Sequence, residues 1–206
     1  PLGGILTGNG VVNNTFNPIL AGTGYHTISY SYGSSNCIVE VDTIIFVDNA
    51  LTTTTYQTQD SICKGDLVSI GVNANGGVGN YFFSWNNGLS NSFEHLISPF
   101  SSTNYIVTSS DGCSEDIQDT ISIHVLPDFS VNFITSEKKC YGEKGYAVLE
   151  VAPSGNYSYK WNTNPISYND TIYEDVNKKY MVEITDQTTQ CVVSDTITIP
   201  GYSRID

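Results

Sequence analysis

Charged residues are scarce in this sequence. Only 14% of the 206 residues are Asp, Glu, Lys or Arg, against about a quarter in an average domain. Long surface helices need many charged side chains, whereas the Gly, Ser, Thr, Asn and Tyr that are abundant here favour strands and turns. We therefore expect almost no helix.

Basic residues are the scarcest charged type. The sequence has eight basic and 21 acidic residues, which gives a formal net charge of −13. Phosphate backbones and anionic lipid surfaces repel such a chain, so nucleic-acid binding is excluded. No apolar run approaches the roughly 18 residues of a membrane span, so we expect no direct membrane insertion. The opening PLGGILTGNG lacks the basic-then-apolar order of a signal peptide, and we expect a soluble segment processed or cut from a longer protein.

Compact catalytic motifs are also missing. HExxH and GxSxG do not occur in the sequence. The three histidines, His26, His95 and His124, have no acidic partner at a useful spacing. We expect no catalytic residue and no enzyme activity.

Metal-binding patterns are weak. The cysteines are too far apart for CxxC knuckles, which excludes zinc ribbons. Acidic side chains do cluster around one turn, at Asp111, Glu115, Asp116 and Asp119, and loops readily supply the several oxygens that calcium needs. There is no Asp-x-Asp-x-Asp-Gly loop, and acidic turns on an acidic protein are usually just solvated. We expect no cofactor, with calcium at this turn as the alternative.

The sequence contains internal repeats. Residues 63–125 and 140–199 share five features in the same order. Each segment has Cys-x-Gly, a strand ending in Trp-Asn, Tyr-x-Val, a turn with a second Cys, and Asp-Thr-Ile-x-Ile. The residues before Ala50 carry the tail of the same pattern. We predict a truncated unit at 1–49 and whole units at 50–126 and 127–206.

Alternating side chains indicate strands with one buried face. In Tyr157-Ser158-Tyr159-Lys160-Trp161 the aromatic residues occupy every second position. The same reading turns Ile121 and Ile123 inward and Thr120 outward. Short alternating strands broken by Gly, Asp-Gly and Pro indicate antiparallel sandwiches.

Five cysteines show a regular spacing. Long and short gaps alternate, which predicts disulfides within units, Cys63 with Cys113 and Cys140 with Cys191, and hence an oxidising compartment. Cys37 is left over. It is either a free thiol or the partner of a cysteine upstream of the first residue, and we predict that it has no partner within the chain.

Each whole unit carries one Trp between its two cysteines. This order is immunoglobulin-like, with the Trp packed against a disulfide between the sheets. We predict that Trp85 and Trp161 are buried core residues beside the two predicted disulfides.

Several motifs resemble a known family. Gly79 to Gly88 and Tyr105 to Thr108 resemble the tyrosine-tryptophan strand and the closing tyrosine strand of polycystic-kidney-disease (PKD) type domains. The Cys-x-Gly, Trp-Asn-x-Gly, Asp-Gly-Cys and Asp-Thr-Ile pieces look like repeats of very large Bacteroidota surface proteins, including gliding-motility adhesins exported by the type IX system. The opening Pro1 to Val11 resembles a sister repeat in which an upstream Cys precedes Pro-x-Gly-Gly, which implies an upstream partner for Cys37.

This resemblance implies an all-β chain of tandem small immunoglobulin-like (PKD-like) antiparallel sandwiches. It implies a non-catalytic stalk or adhesive region of a secreted adhesin on a bacterial cell surface, for gliding motility or surface attachment. Its partners would be neighbouring repeats, surface glycans or other cell-surface proteins. The alternative is a carbohydrate-binding accessory module of a secreted hydrolase, whose glycan contacts would lie at Tyr30, Tyr32, Tyr56 and Tyr141.

Five tripeptides match the Asp-Ser/Thr-aliphatic pattern of O-glycosylation known in Bacteroidota. Their hydroxyl residues are Thr43, Ser61, Thr120, Thr171 and Thr196. The predicted register turns three of these hydroxyls, at positions 43, 120 and 196, towards solvent, opposite the buried isoleucine of each tripeptide. The alternative is that these three tripeptides recur only because they open the same last strand of each unit.

Overall fold

The computed structural model describes residues 3–34, 37–136 and 143–201. Within these ranges the protein has eighteen strands and one four-residue helix. Every sheet is built mainly or entirely from antiparallel pairs. The predicted all-β, antiparallel fold class is confirmed.

The first part of the chain contains five strands and the helix. They are β1 (Ile5–Gly8), β2 (Val11–Val12), β3 (Thr15–Phe16), α1 (Pro18–Ala21), β4 (Gly24–Ser34) and β5 (Cys37–Val47). Strands β1, β4 and β5 form a sheet in the order β1-β4-β5, and β2 pairs with β3. Among the described residues, no helix has the length and apolar composition to cross a membrane.

The middle of the chain forms two sheets. Its strands are β6 (Thr52–Gln57), β7 (Ser61–Ile62), β8 (Val68–Asn75), β9 (Phe82–Trp85), β10 (Glu94–Ile97), β11 (Thr103–Ser110) and β12 (Ile117–Val125). The sheet orders are β10-β8-β6 and β7-β12-β11-β9.

The last part also forms two sheets. Its strands are β13 (Ser130–Thr135), β14 (Gly145–Ala152), β15 (Tyr157–Trp161), β16 (Thr171–Glu174), β17 (Lys179–Asp186) and β18 (Val192–Thr198). The sheet orders are β13-β14-β16 and β15-β17-β18.

The chain divides into two compact units. Unit 1 comprises Pro1–Asp60, Val68–Ile97 and Asn104–Ile123, and unit 2 comprises Ser61–Leu67, Ser98–Thr103 and His124–Asp206. The short segment that carries Cys63 thus belongs to the same unit as β13 to β18. The three-unit division of the sequence at 50 and 127 stays a prediction.

The core of unit 2 follows the alternating pattern of its strands. Trp161 lies opposite Val182 and Tyr159 opposite Ile184 in the antiparallel β15–β17 pair. Trp161, Val182 and Ile184 are buried together with Leu149 of β14. Since cross-strand partners share a face, one register buries the whole set.

In unit 1, strand β12 follows its predicted register. Ile121 and Ile123 are buried and Thr120 is exposed. On β8, Ile70 and Val72 are buried while Gly71 between them faces the other way. Gly71 pairs with Tyr56 of β6, and a Cβ atom on residue 71 would overlap the Tyr56 ring. The Tyr56 ring therefore covers the bare backbone of this glycine.

Strand β5 departs from the predicted register. Thr43 lies opposite Ile28 of β4, and Ile28 is buried. Residues opposite each other project from the same face of a sheet, so Thr43 shares the face of Ile28 and Ile44 projects from the other face. The prediction that Thr43 stands opposite a buried isoleucine in its tripeptide was wrong, because Ile44 is 68% exposed.

Candidate functional site

One disulfide joins two distant parts of the sequence. Cys63 bonds to Cys191, 128 residues away, with a Cα–Cα distance of 5.6 Å. Cys63 follows β7, and Cys191 ends the turn between β17 and β18. Both cysteines belong to unit 2.

The predicted cysteine pairing was wrong. Cys113 carries a free, exposed thiol, and Cys191 is bonded to Cys63 rather than to Cys140, which lies outside the described residues. Cys113 precedes the first residue of β12, whereas β7, just before Cys63, pairs with the last two residues of β12. Cys63 belongs to unit 2 and Cys113 to unit 1, so the two cysteines do not lie in one compact unit as their spacing predicted. Cys37 also carries a free, exposed thiol.

The loop after Cys63 is fixed by contacts within unit 2. The Gly65 N–H donates to the Pro99 carbonyl at 3.1 Å, and Gly65 adopts φ +80°, a conformation that favours glycine. Lys64 Nζ lies 2.9 Å from the Asp128 carboxylate, and its hydrogen bond lowers the pKa of Asp128. Both charged side chains are about half exposed, so this ion pair contributes little to stability.

A buried aspartate organises the turn that carries Cys113. The Asp111 carboxylate accepts hydrogen bonds from the N–H groups of Cys113, Ser114 and Val78 at 3.0, 2.6 and 2.9 Å. These bonds favour the ionised carboxylate and lower the pKa of Asp111 from 3.8 to about 2. Asp186 accepts N–H bonds from Thr188 and Thr189 in the corresponding turn of unit 2, and its pKa is also lowered.

The predicted calcium ligands do not converge. Both Asp111 carboxylate oxygens already accept hydrogen bonds, and Asp119 accepts one from the Thr53 hydroxyl. Glu115 and Asp116 are exposed. Within residues 3–34, 37–136 and 143–201, no group of three His, Cys, Asp or Glu side chains is arranged to hold a metal ion.

Both tryptophans are buried, in agreement with the strand alternation. The Trp85 indole N–H donates to the Ser92 carbonyl at 2.7 Å, and that of Trp161 donates to the Asn169 carbonyl at 2.9 Å. The Trp161 ring packs edge-on against Phe133. The disulfides predicted beside these rings do not form, since the cysteines pair differently.

The proposed glycosylation positions differ in exposure. Thr43, Ser61, Thr120 and Thr196 are exposed, whereas Thr171 is partly buried and donates to Asp170 at 3.0 Å. Modification at these positions stays a prediction.

The tyrosines considered for glycan binding are unequally available. Tyr32 is exposed, Tyr30 is partly buried and the Tyr56 ring covers Gly71. Tyr141 lies outside the described residues. Sequence reasoning missed Tyr25, which is 79% exposed and packs against Phe46 with ring centroids 4.7 Å apart. The pair follows from the β4–β5 register, which the sequence did not provide.

Unit 1 has an apolar cleft of about 560 Å³ beside Cys113. We call it the Cys113 cleft. Its walls come from the segment around α1, from the end of β5, from the β8–β9 loop and from the turn of Cys113; they include Phe16, Pro18, Ile19, Phe46, Val47 and Val78. Ile19 is 88% exposed, so much of this apolar lining is open to solvent.

No family model matches the sequence, and a search of curated proteins found no match either. Among solved structures, the amphioxus IgVJ-C2 molecule is 16% identical over 50% of this chain and 61% of its own, with a TM-score of 0.35. Three N-terminal domains of the Hoc outer capsid protein of bacteriophage RB49 are 12% identical over 74% of this chain and 59% of their own, with a TM-score of 0.38.

The N-terminal eight Ig domains of Down syndrome cell adhesion molecule are 11% identical over 87% of this chain, with a TM-score of 0.35. The alignment covers 31% of that chain, so in all three comparisons less than two thirds of the solved chain is covered. At these TM-scores and identities, the likeness carries no assignment of function.

Proposed function

We propose that this chain is a non-catalytic, disulfide-stapled segment of the stalk of a secreted or cell-surface adhesive protein. The observation that carries the proposal is the bond between Cys63 and Cys191. Structural disulfides form and persist mainly in oxidising compartments, which supports a location outside the cytosol. The motif resemblance supports a bacterial surface, with surface attachment or gliding motility as the use of the parent protein. Its proposed partners are neighbouring repeats and molecules of other surfaces.

The disulfide suits a stalk because of how it directs mechanical tension. Force applied at the two ends of the chain passes through the Cys63–Cys191 bond. The residues between these cysteines are then shielded from stretching, although they would add about 430 Å as extended chain. A stalk with such a disulfide keeps its length when the residues between the two cysteines unfold.

Single-molecule stretching of the full chain tests this role. We expect the oxidised chain to stop about 430 Å short of the extension that the same chain reaches with a reductant. The variant with both Cys63→Ala and Cys191→Ala should reach the longer extension without reductant. Equal extension of the oxidised and reduced wild-type chains would contradict this mechanical role of the disulfide.

One observation favours carbohydrate binding as a second candidate function. Tyr25 and Phe46 form a paired aromatic surface, and their rings are 79% and 54% exposed. The faces of exposed rings offer apolar area against which sugar rings can stack. Unlike the tyrosines chosen from the sequence, these two rings lie side by side on neighbouring strands.

A glycan array separates the two functions. A stalk segment should bind no glycan. Binding that disappears in Tyr25→Ala and persists in Tyr173→Ala, a change at an exposed tyrosine of unit 2, would favour the carbohydrate-binding module.

A further inference from the structure

The Cys113 cleft has a counterpart in unit 2, and that counterpart is filled. The cleft is lined by the β8–β9 loop with Gly77 and Val78 and by three further elements: the segment before β4, the end of β5 and the turn cysteine Cys113. In unit 2 the corresponding elements are the segment before β11, the end of β12 and the turn cysteine Cys191. Residues 61–65 contact all three of them.

These contacts are specific. Ser61 and Ile62 pair in parallel with His124 and Val125 at the end of β12. The Leu126 N–H then donates to the Ile62 carbonyl at 2.9 Å. Ile62 is buried, so its side chain fills apolar space at this position.

Cys63 and Gly65 make the contacts to the other two elements. Cys63 bonds to the turn cysteine, and the Gly65 N–H donates to Pro99 in the segment before β11. A Cβ atom on residue 65 would lie 3.4 Å from the Phe100 ring. The segment that fills this place in unit 2 thus has the sequence aliphatic-Cys-x-Gly.

The order of strands in the sheets also shows that the place is filled beside β12 and open beside β5. The sheet β7-β12-β11-β9 has β7 on the outer side of β12, whereas β5 is the outer strand of the sheet β1-β4-β5 in the described part of the chain. The end of β5 therefore corresponds to the end of β12. The difference is that β7 pairs with the end of β12, whereas the outer edge of β5 has no such strand in the described part of the chain. Such an edge presents backbone groups to which an extended segment can pair.

We propose that the Cys113 cleft binds an extended polypeptide segment of the form aliphatic-Cys-x-Gly from a partner. The segment pairs in parallel with the end of β5, places its aliphatic side chain among Phe16, Ile19 and Phe46, and forms a disulfide with Cys113. The segment at 62–65 of the same chain cannot serve, because Cys63 is already bonded to Cys191. The proposal rests on the geometry of the two sites and does not require the stalk function.

The covalent step is thiol–disulfide exchange. The Cys113 thiolate attacks the sulfur of a segment cysteine that is held in a mixed disulfide, a new S–S bond forms, and the previous partner leaves as a thiolate. The exchange consumes one disulfide and produces one, so no further oxidant is needed.

A synthetic peptide with the sequence of residues 59–66, Gln-Asp-Ser-Ile-Cys-Lys-Gly-Asp, is the probe. It is supplied as its mixed disulfide with thionitrobenzoate, whose release is coloured, and the modified cysteines of the full chain are identified by peptide mapping. Cys37 is the internal reference, since its thiol is also free and exposed. We expect Cys113 to react about tenfold faster than Cys37, because docking holds the two sulfurs together.

Two controls show that docking causes the preference. A peptide with Asp in place of the isoleucine should react with Cys113 no faster than with Cys37. Ile19→Asp, a change at an exposed cleft residue, should have the same effect with the original peptide, whereas Ile38→Asp on exposed β5 surface away from the cleft should leave the preference intact.

Three results would overturn the proposal. In the first, Cys113 and Cys37 react at equal rates. In the second, Cys113 reacts faster but without regard to the peptide sequence, which would show only a more reactive thiol. In the third, the Cys113 thiol of a second copy displaces the peptide thiol from Cys113, so that the product is a disulfide-linked pair of chains, which would assign the cleft to a second copy.

Discussion

Two copies of the same tripeptide, Asp-Thr-Ile, have opposite environments in this protein. Ile121 on β12 is 2% exposed, whereas Ile44 on β5 is 68% exposed. Thr43 and Thr120 are both exposed, but Thr43 projects from the sheet face of the buried Ile28. Sequence similarity between repeats therefore predicts the strand but leaves open which face of the strand is buried.

The physical reason lies in the period of a strand. A shift of one residue in strand pairing exchanges the two faces of the whole strand. On β12, burial of alternate residues holds one register. On β5, most side chains are exposed on both faces, so burial does little to select between them. Regions with many buried contacts should respond strongly to substitution, and β5 should respond weakly.

Of all the changes considered, removing the disulfide should lower the free energy of unfolding the most. In the variant with Cys63→Ala and Cys191→Ala, we expect the free energy of unfolding of unit 2 to fall by about 4–5 kcal/mol, because the bond closes a loop of 128 residues. Urea unfolding followed by Trp161 fluorescence in a Trp85→Phe background measures this unit. The matched variant Cys37→Ala with Cys113→Ala should change the free energy by less than about 0.5 kcal/mol. Equal losses in the two variants would contradict the assigned pairing.

Truncating the central core residue of unit 2 should have the next largest effect. Trp161→Ala removes a buried ring that packs against Phe133 and leaves the Asn169 carbonyl without its donor. We expect a loss of about 3–5 kcal/mol in the free energy of unfolding, measured by urea titration followed by far-UV circular dichroism. A loss below about 1 kcal/mol would show that the ring is on the surface.

The two isoleucines of the repeated tripeptide give the direct test of the comparison. Ile121→Ala should cost about 2–5 kcal/mol because it opens a cavity in the buried face of β12. Ile44→Ala should stay within about 0.5 kcal/mol because its side chain is already solvated. Thermal unfolding of both variants measures the difference, and similar costs would mean that β5 is buried like β12.

Acid titration should have a smaller effect, confined to low pH. The pKa of Asp111 in the folded state is about 2, below its ordinary 3.8, so its contribution to stability is complete above pH 4 to 5 and is lost as pH falls towards 2. The difference in Tm between wild type and Asp111→Asn should be constant above about pH 5 and shrink below pH 4. Asp116→Asn, at an exposed position of the same turn, serves as the control and should follow the wild-type curve. A difference that is independent of pH would contradict the assigned hydrogen bonds.

Much of the fold could be predicted from local alternation. The strands at 117–125 and 157–161 have the faces that their apolar residues predict, because each packs into a core. The cysteine pairing could not be predicted in this way. Spacing in sequence does not show to which compact unit a cysteine belongs, and Cys63 lies in unit 2 whereas Cys113 lies in unit 1. The Cys113 cleft was missed because it depends on which strand lies beside β5 rather than on any motif.

The Tyr56–Gly71 pair affects how strand β6 finds its place. Gly71 leaves room on β8 for one large ring, and its neighbours Ile70 and Val72 carry branched side chains. A slip of β6 by one residue would press the ring against a side chain and leave the glycine backbone uncovered. The pair therefore fixes the register of β6 against β8. It disfavours misaligned intermediates during folding and the pairing of β8 with a strand from another molecule that lacks a tyrosine at this position.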